Sequence, residues 1–174
     1  MADTPRSLSA LQALLADNTS GDISPQDIRD FLVSSLGVYG SIYCFDAVTQ
    51  QDNPDTGALL TCFTNNGNSN GTTPDHTNDN ITVDVAGNYD VYFQASFSGT
   101  ATAEFQFRLR KGGVEQTYGS TRTLGTGGDS GSVSFLAPAV SLIANDILTI
   151  YVEADSATDD LTVKDAQFSV KMVG

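Results

Sequence analysis

The chain has 174 residues, 21 acidic and 8 basic side chains, a formal net charge of −13 and 40% hydrophobic residues. That length supports one domain with its own core plus a short appendage, and that hydrophobic share excludes a disordered chain. So acidic a surface repels phosphate, which excludes nucleic acid and disfavours an anionic membrane, and no stretch approaches the ~20 apolar residues of a membrane span.

Met1-Ala2-Asp3-Thr4-Pro5-Arg6 lacks the basic start and apolar run of a secretory signal. Thr4-Pro5 instead opens a first helix, with Thr4 as cap and Pro5 in the first position. Leu8, Leu11, Leu14 and Leu15 recur at helical spacing and give it one apolar stripe. Turn formers from Asp17 to Asp22 break this helix. Ser24-Pro25-Gln26-Asp27 then starts a second, with Ser24 as cap and Asp27 placed to reach back to it. Ile28, Phe31, Leu32 and Leu36 form the apolar face of that helix, and Gly37 ends it. Two helices of about three turns are marginal alone. Their stripes must pack on each other, on the remainder of the chain, or on a partner.

From Ile42 onward the period changes to two. Candidate strands are Ile42–Asp46, Leu59–Thr64, Ile81–Val85, Tyr89–Phe97, Ala103–Arg110, Val114–Thr123, Ser130–Leu136, Ile147–Ala154 and Leu161–Val173. In Tyr89–Phe97 the odd positions make one apolar face, and Phe105, Phe107 and Leu109 repeat the pattern. Short strands separated by Gly, Asn and Asp indicate a β-sandwich or jelly roll. The stretch Asn65–Asn80 is polar and low in complexity and reads as an exposed, mobile loop.

Chemistry-bearing residues are sparse. The sole histidine, His76, lies in that polar stretch without a second histidine to complete a metal set or a catalytic relay. Cys44 and Cys62 fit either a pair of buried thiols or a disulfide between neighbouring strands. Asp52–Asp55, Asp75–Asn80 and Asp155–Asp160 offer hard oxygens, yet none has the spacing of a calcium loop and turn-forming explains each. No metal, no cofactor and no catalytic residue is assigned.

Two resemblances add to this reading. The blocks Gly87–Phe93, Phe105–Gly113, Asn145–Val152 and Ala166–Val170 resemble, in order, those of the jelly roll shared by the tumour necrosis factor (TNF) and C1q families. That resemblance implies a homotrimer about a threefold axis, and Tyr92, Tyr151 and Phe168 are the candidate interface residues. The segment Leu15–Ser34, with Ala16-Asp17-Asn18-Thr19-Ser20-Gly21-Asp22-Ile23-Ser24-Pro25-Gln26-Asp27, resembles a short segment at the start of many tailed-bacteriophage structural proteins. It implies attachment to a virion, with the chain made in the host bacterial cytoplasm and displayed on the capsid exterior. No triple-stranded shaft follows, as a long tail fibre would require.

The resulting expectation is a mainly β protein: a TNF/C1q-like jelly-roll sandwich over 38–174, preceded by a helical hairpin over 1–37 that acts as a docking arm. The expected function is that of a trimeric capsid decoration (cement) protein bound to the major capsid protein or another virion protein, with no enzymatic activity. A short head or tail fibre that binds a host-surface glycan or receptor is the alternative. Leu14, Leu15, Asn18, Asp22, Ile23, Asp27, Ile28, Phe31 and Leu32 are the candidate partner-binding residues.

Overall fold

The computed structural model of the protein describes residue 10 and residues 24–35, 37–51, 57–127 and 129–173. Apart from Ala10, which is helical, the first expected helix lies outside the described residues, as do Leu14, Leu15, Asn18, Asp22, Ile23 and the Asp52–Asp55 cluster. Among the described residues, no helix is long and apolar enough to cross a membrane.

Helix α1, Pro25–Ser35, starts as its sequence dictates. The Ser24 hydroxyl accepts a bond from the Asp27 amide (3.2 Å), and the Asp27 carboxylate accepts from the Ser24 amide (2.8 Å) and hydroxyl (2.7 Å). This reciprocal cap satisfies two amides that the helix would otherwise leave bare. Gly37 follows at a φ of +79°, a conformation that favours glycine and turns the chain out of the helix.

Among the described residues twelve strands follow: β1 Tyr39–Cys44, β2 Thr49–Gln51, β3 Ala58–Leu59, β4 Asn65–Asn66, β5 Thr72–Asp75, β6 Asn80–Val83, β7 Gly87–Gly99, β8 Glu104–Lys111, β9 Val114–Thr123, β10 Ser130–Leu142, β11 Ile147–Ala154 and β12 Leu161–Met172. They form two antiparallel sheets. The first runs β10-β7-β12-β1-β4, with β2 also on β12; the second runs β5-β6-β11-β8-β9, with β3 also on β11. Alternation fixes which side chains meet between them. Tyr89, Val91, Phe93, Ala95 and Phe97 of β7 face inward, as do Phe105, Phe107 and Leu109 of β8 and Leu148, Ile150 and Val152 of β11. Phe93 stacks on Phe107 across the core (5.6 Å between centroids), and Phe97 meets both Phe105 (5.7 Å) and Phe107 (5.2 Å).

Three segments depart from the sequence reading. Leu59–Thr64 is not one strand: after β3, Leu60 donates to Ile150 O of the second sheet and Thr64 to Tyr43 O of the first, so the segment crosses between sheets. β10 continues past Leu136 to Leu142 because Pro138 falls at a bulge on an edge strand, where no ladder donor is lost, and Ala139 takes a φ of +51°. The polar stretch Asn65–Asn80 is ordered into β4, β5 and a turn rather than left as an open loop. Its side chains do this: Asn70 Nδ2 donates to Gly37 O (2.6 Å), the Thr72 hydroxyl to Tyr39 O (2.7 Å), and the Asp75 carboxylate accepts the Thr77 (3.0 Å) and Asn78 (3.2 Å) amides.

Gly99 closes β7 where the backbone passes Asp160. A Cβ there would stand 2.5 Å from Asp160 O and 3.0 Å from the Phe105 ring. Gly99→Ala is expected to destabilise the fold by about 1–3 kcal/mol, through displaced backbone rather than lost contact. A thermal melt checks this; an unchanged Tm would show that the β7 end yields freely.

Candidate interaction face

The site is best built from the outer side of the first sheet. Even positions of β7 place Tyr92, Gln94 and Ser96 there, and β10 adds Ser132, Ser134 and Leu136. Tyr43 and Phe45 rise at the β1 side, packed edge to face at 5.6 Å. Between them lie two adjoining depressions of about 650 and 530 Å³ that share Gln94, Ser134 and Gln167. Of all residues lining the two, Asp165 alone is charged. Its carboxylate accepts the Ser96 hydroxyl (3.0 Å) and the Asp46 amide (3.2 Å).

The outer side of the second sheet has a different character. Glu104, Gln106 and Arg108 are linked in a hydrogen-bonded row along β8. Arg110 lies over the Tyr151 ring at 3.8 Å and reaches Glu115 at 3.8 Å. Such charged, hydrated rows mark a face turned to solvent.

The three residues expected to share a trimer interface therefore do not share a surface. Tyr92 is on the uncharged face and 46% exposed. Phe168 is fully buried, facing Phe63 at 6.3 Å, because the inward phase of β12 runs through Ala166, Phe168 and Val170. Tyr151 belongs to the opposite sheet, beneath Arg110. The sequence reading missed Tyr43, Phe45, Gln94 and Leu136. A signal existed in Ser130-Gly131-Ser132-Val133-Ser134, whose outward positions are all small and uncharged.

A second concentration of exposed side chains lies at the end where α1 joins β1. The register brings together the start of β1, the end of β12, the β8–β9 hairpin and the β10–β11 turn. Tyr39, Val114, Ile143, Ile147 and Val173 are all exposed there. In α1, Ile28, Phe31 and Leu32 are 47, 44 and 56% exposed, at a spacing that puts them on one face. Asp27 is spent on the helix cap. Among the described residues, no strand packs extensively on α1.

His76 donates its amide to Asn66 Oδ1 (2.8 Å), and its Nδ1 lies 3.1 Å from the same oxygen. Cys62 and Asp79 share a shallow depression with it. The Cys62 thiol is pushed far up by its hydrogen bond to Cys44 and by burial, so it stays protonated while the Cys44 thiol is free. Among the described residues, no cluster of three or more His, Cys, Asp or Glu side chains could hold a metal ion.

No protein-family model and no curated protein matches the chain. It is similar to a solved structure of Eiger TNF from S. frugiperda, with a TM-score of 0.53 and 13% identity over 79% of this chain and 94% of that one. The fold is accordingly a TNF-like β-sandwich of two antiparallel sheets.

One acidic pair sets a pH dependence. Burial, then the hydrogen bond and charge of Asp155, raise the Asp159 carboxyl above its ordinary range, whereas the Glu104 amide holds Asp155 low. A raised folded pKa means that Asp159 favours the fold when protonated and loses that contribution as pH rises through it. Asp159→Asn is therefore expected to raise Tm at pH 7, with the gain shrinking towards pH 4. Equal melts for the two proteins at pH 7 would refute the pairing.

Proposed function

We propose that the protein is a non-catalytic virion component of a tailed bacteriophage: a capsid decoration protein that forms a homotrimer and docks on the major capsid protein through its N-terminal arm. The distribution of exposed side chains carries this reading. A chain of net charge −13 keeps the middle of one sheet face almost free of charge and rims it with Tyr43, Phe45, Tyr92 and Leu136. Depletion of charge with aromatic enrichment characterises the core of a protein interface. TNF-like folds are commonly trimeric, and this face is the one suited to receive a neighbouring copy.

Docking falls to the end bearing α1. Ile28, Phe31 and Leu32 are exposed, and the chain runs from them directly to the end of the sandwich that carries exposed Tyr39, Val114, Ile143, Ile147 and Val173. Burying a side chain of that size contributes roughly 1.5–3 kcal/mol. Three arms on one trimer convert a modest affinity into avidity. The resemblance of the N-terminal segment to the start of phage structural proteins supplies the identity of the particle. A fibre role is the second reading, favoured by Phe45 and Val48, 74 and 88% exposed at the end opposite α1, where a distal receptor contact would fall.

Light scattering of the full chain should report three times the 18.3 kDa monomer mass. Ser134→Arg and Tyr92→Arg place charge in the uncharged face and should yield folded monomers. A wild-type monomer at micromolar concentration, or trimers of both variants, would rule out this interface.

Phe31→Asp and Leu32→Asp should preserve the trimer and its β-type circular dichroism while lowering occupancy on decoration-depleted particles at least tenfold. Normal occupancy would transfer docking to the jelly roll. Binding to host cells but not to heads would favour the fibre.

A further inference from the structure

Two core thiols have no part in the reading above. Cys44 lies on the inner side of β1, opposite Ala166, and Cys62 lies in the segment that carries the chain from the second sheet to the first. Both are free, and neither is more than 3% exposed. The pairing of Tyr43 with Asn65, extended by the bond from the Thr64 amide to Tyr43 O, runs this segment antiparallel to the end of β1. It places Cys62 diagonally across from Cys44 in the core, near enough for the two thiols to act on each other's protonation. Two inward side chains on neighbouring antiparallel segments are the setting in which a disulfide closes with a small backbone adjustment.

We propose that Cys44 and Cys62 are a built-in disulfide site that closes when the protein meets an oxidising environment, stapling the two sheets where the chain crosses between them. The inference is independent of the docking reading. A low-molecular-weight disulfide such as oxidised glutathione is the oxidant. The Cys44 thiolate attacks one of its sulfurs and releases one thiolate, giving a mixed disulfide. With Cys44 capped, the hydrogen bond and the charge that held the Cys62 proton are gone, and Cys62 gives its proton to water and attacks the Cys44 sulfur, releasing the second thiolate. Those two thiolates take up the two protons, so one protein dithiol and one small disulfide become one protein disulfide and two small thiols.

The roles follow from the contact. The hydrogen bond from Cys62 favours the thiolate of Cys44, and the same bond with burial keeps Cys62 protonated. Asp79 adds to this: its buried carboxylate accepts the Phe63 amide at 3.1 Å and its charge lies near Cys62. Access to the sulfurs needs only local opening. Single bonds tie the crossing segment, from Leu60 to Ile150, Thr61 to Gln51, Phe63 to Asp79 and Thr64 to Tyr43, and breaking them leaves the ladders of the long strands paired. Once closed, the bond constrains the chain from Phe45 to Thr61 in the unfolded state as well as the folded one.

The full-length protein is incubated with oxidised glutathione under native conditions, then denatured with iodoacetamide and weighed. The expected product has lost two hydrogen atoms, carries no alkyl group and no glutathione, and melts roughly 5–15 °C higher, a gain that dithiothreitol reverses. Two alkylated cysteines after prolonged oxidation, a lasting glutathione adduct, an intermolecular dimer on a non-reducing gel, or a lower Tm would each overturn the proposal. Cys62→Ser is expected to show no oxidation-linked rise in Tm, and the same rise in that variant would overturn it too. The wild-type thiol count decides the matter even if the variant does not fold.

Discussion

Four phenylalanines set the distance and phase between the two layers: Phe93 and Phe97 from the first sheet, Phe105 and Phe107 from the second. Aromatic rings in cores carry large buried areas and prefer a few relative geometries. Once these four interlock, the phase of β7 and β8 is set, and through the ladders so is that of β11 and β12. A one-residue slip in any of these strands would send its apolar set to water. The two outer faces are what this constraint leaves free.

Those faces have been used in opposite ways. Beyond β8 and β11 the outward positions hold Glu104, Arg108, Arg110 and Glu153, which keep water close. Beyond β7 and β10, past Asp90 at one end, they hold serine, glutamine, tyrosine and leucine, which can lose water at little cost because none of these brings a full charge. In a neutral protein the contrast would mean little. In a chain this acidic, an uncharged face of that extent is a departure from the mean that burial in the core cannot account for.

Much of this was legible in the residues. The Ser24–Asp27 cap needed only spacing, since its donors and acceptors are three positions apart. The inward faces of β7 and β8 needed only alternation. What could not be read were bonds closed over distance. Asn70 to Gly37 O and Thr72 to Tyr39 O order a stretch whose composition alone reads as loop. Phe168 went to the wrong surface for a related reason: an aromatic count shows that a residue will be buried, whereas the partner that buries it, Phe63, lies far away in sequence. The opposite sheets of Tyr92 and Tyr151 depend on strand order, which periodicity does not carry.

The irregularity of β12 links core to surface. Leu161 and Val163 point inward, and strict alternation would send residue 165, an aspartate, in after them. The register shift between Val163 and Asp165 resets the phase, so that Ala166, Phe168 and Val170 face the core and Asp165 faces out. There it is the lone charge lining the two depressions, and it does not stand bare: the Ser96 hydroxyl and the Asp46 amide satisfy it from within the same chain. A carboxylate held in this way can be covered by another surface more cheaply than a free one, because part of its hydration has already been replaced by fixed donors. The bulge thus protects the core from a charge and, with the same displacement, places that charge where internal bonds make the face fit to be buried.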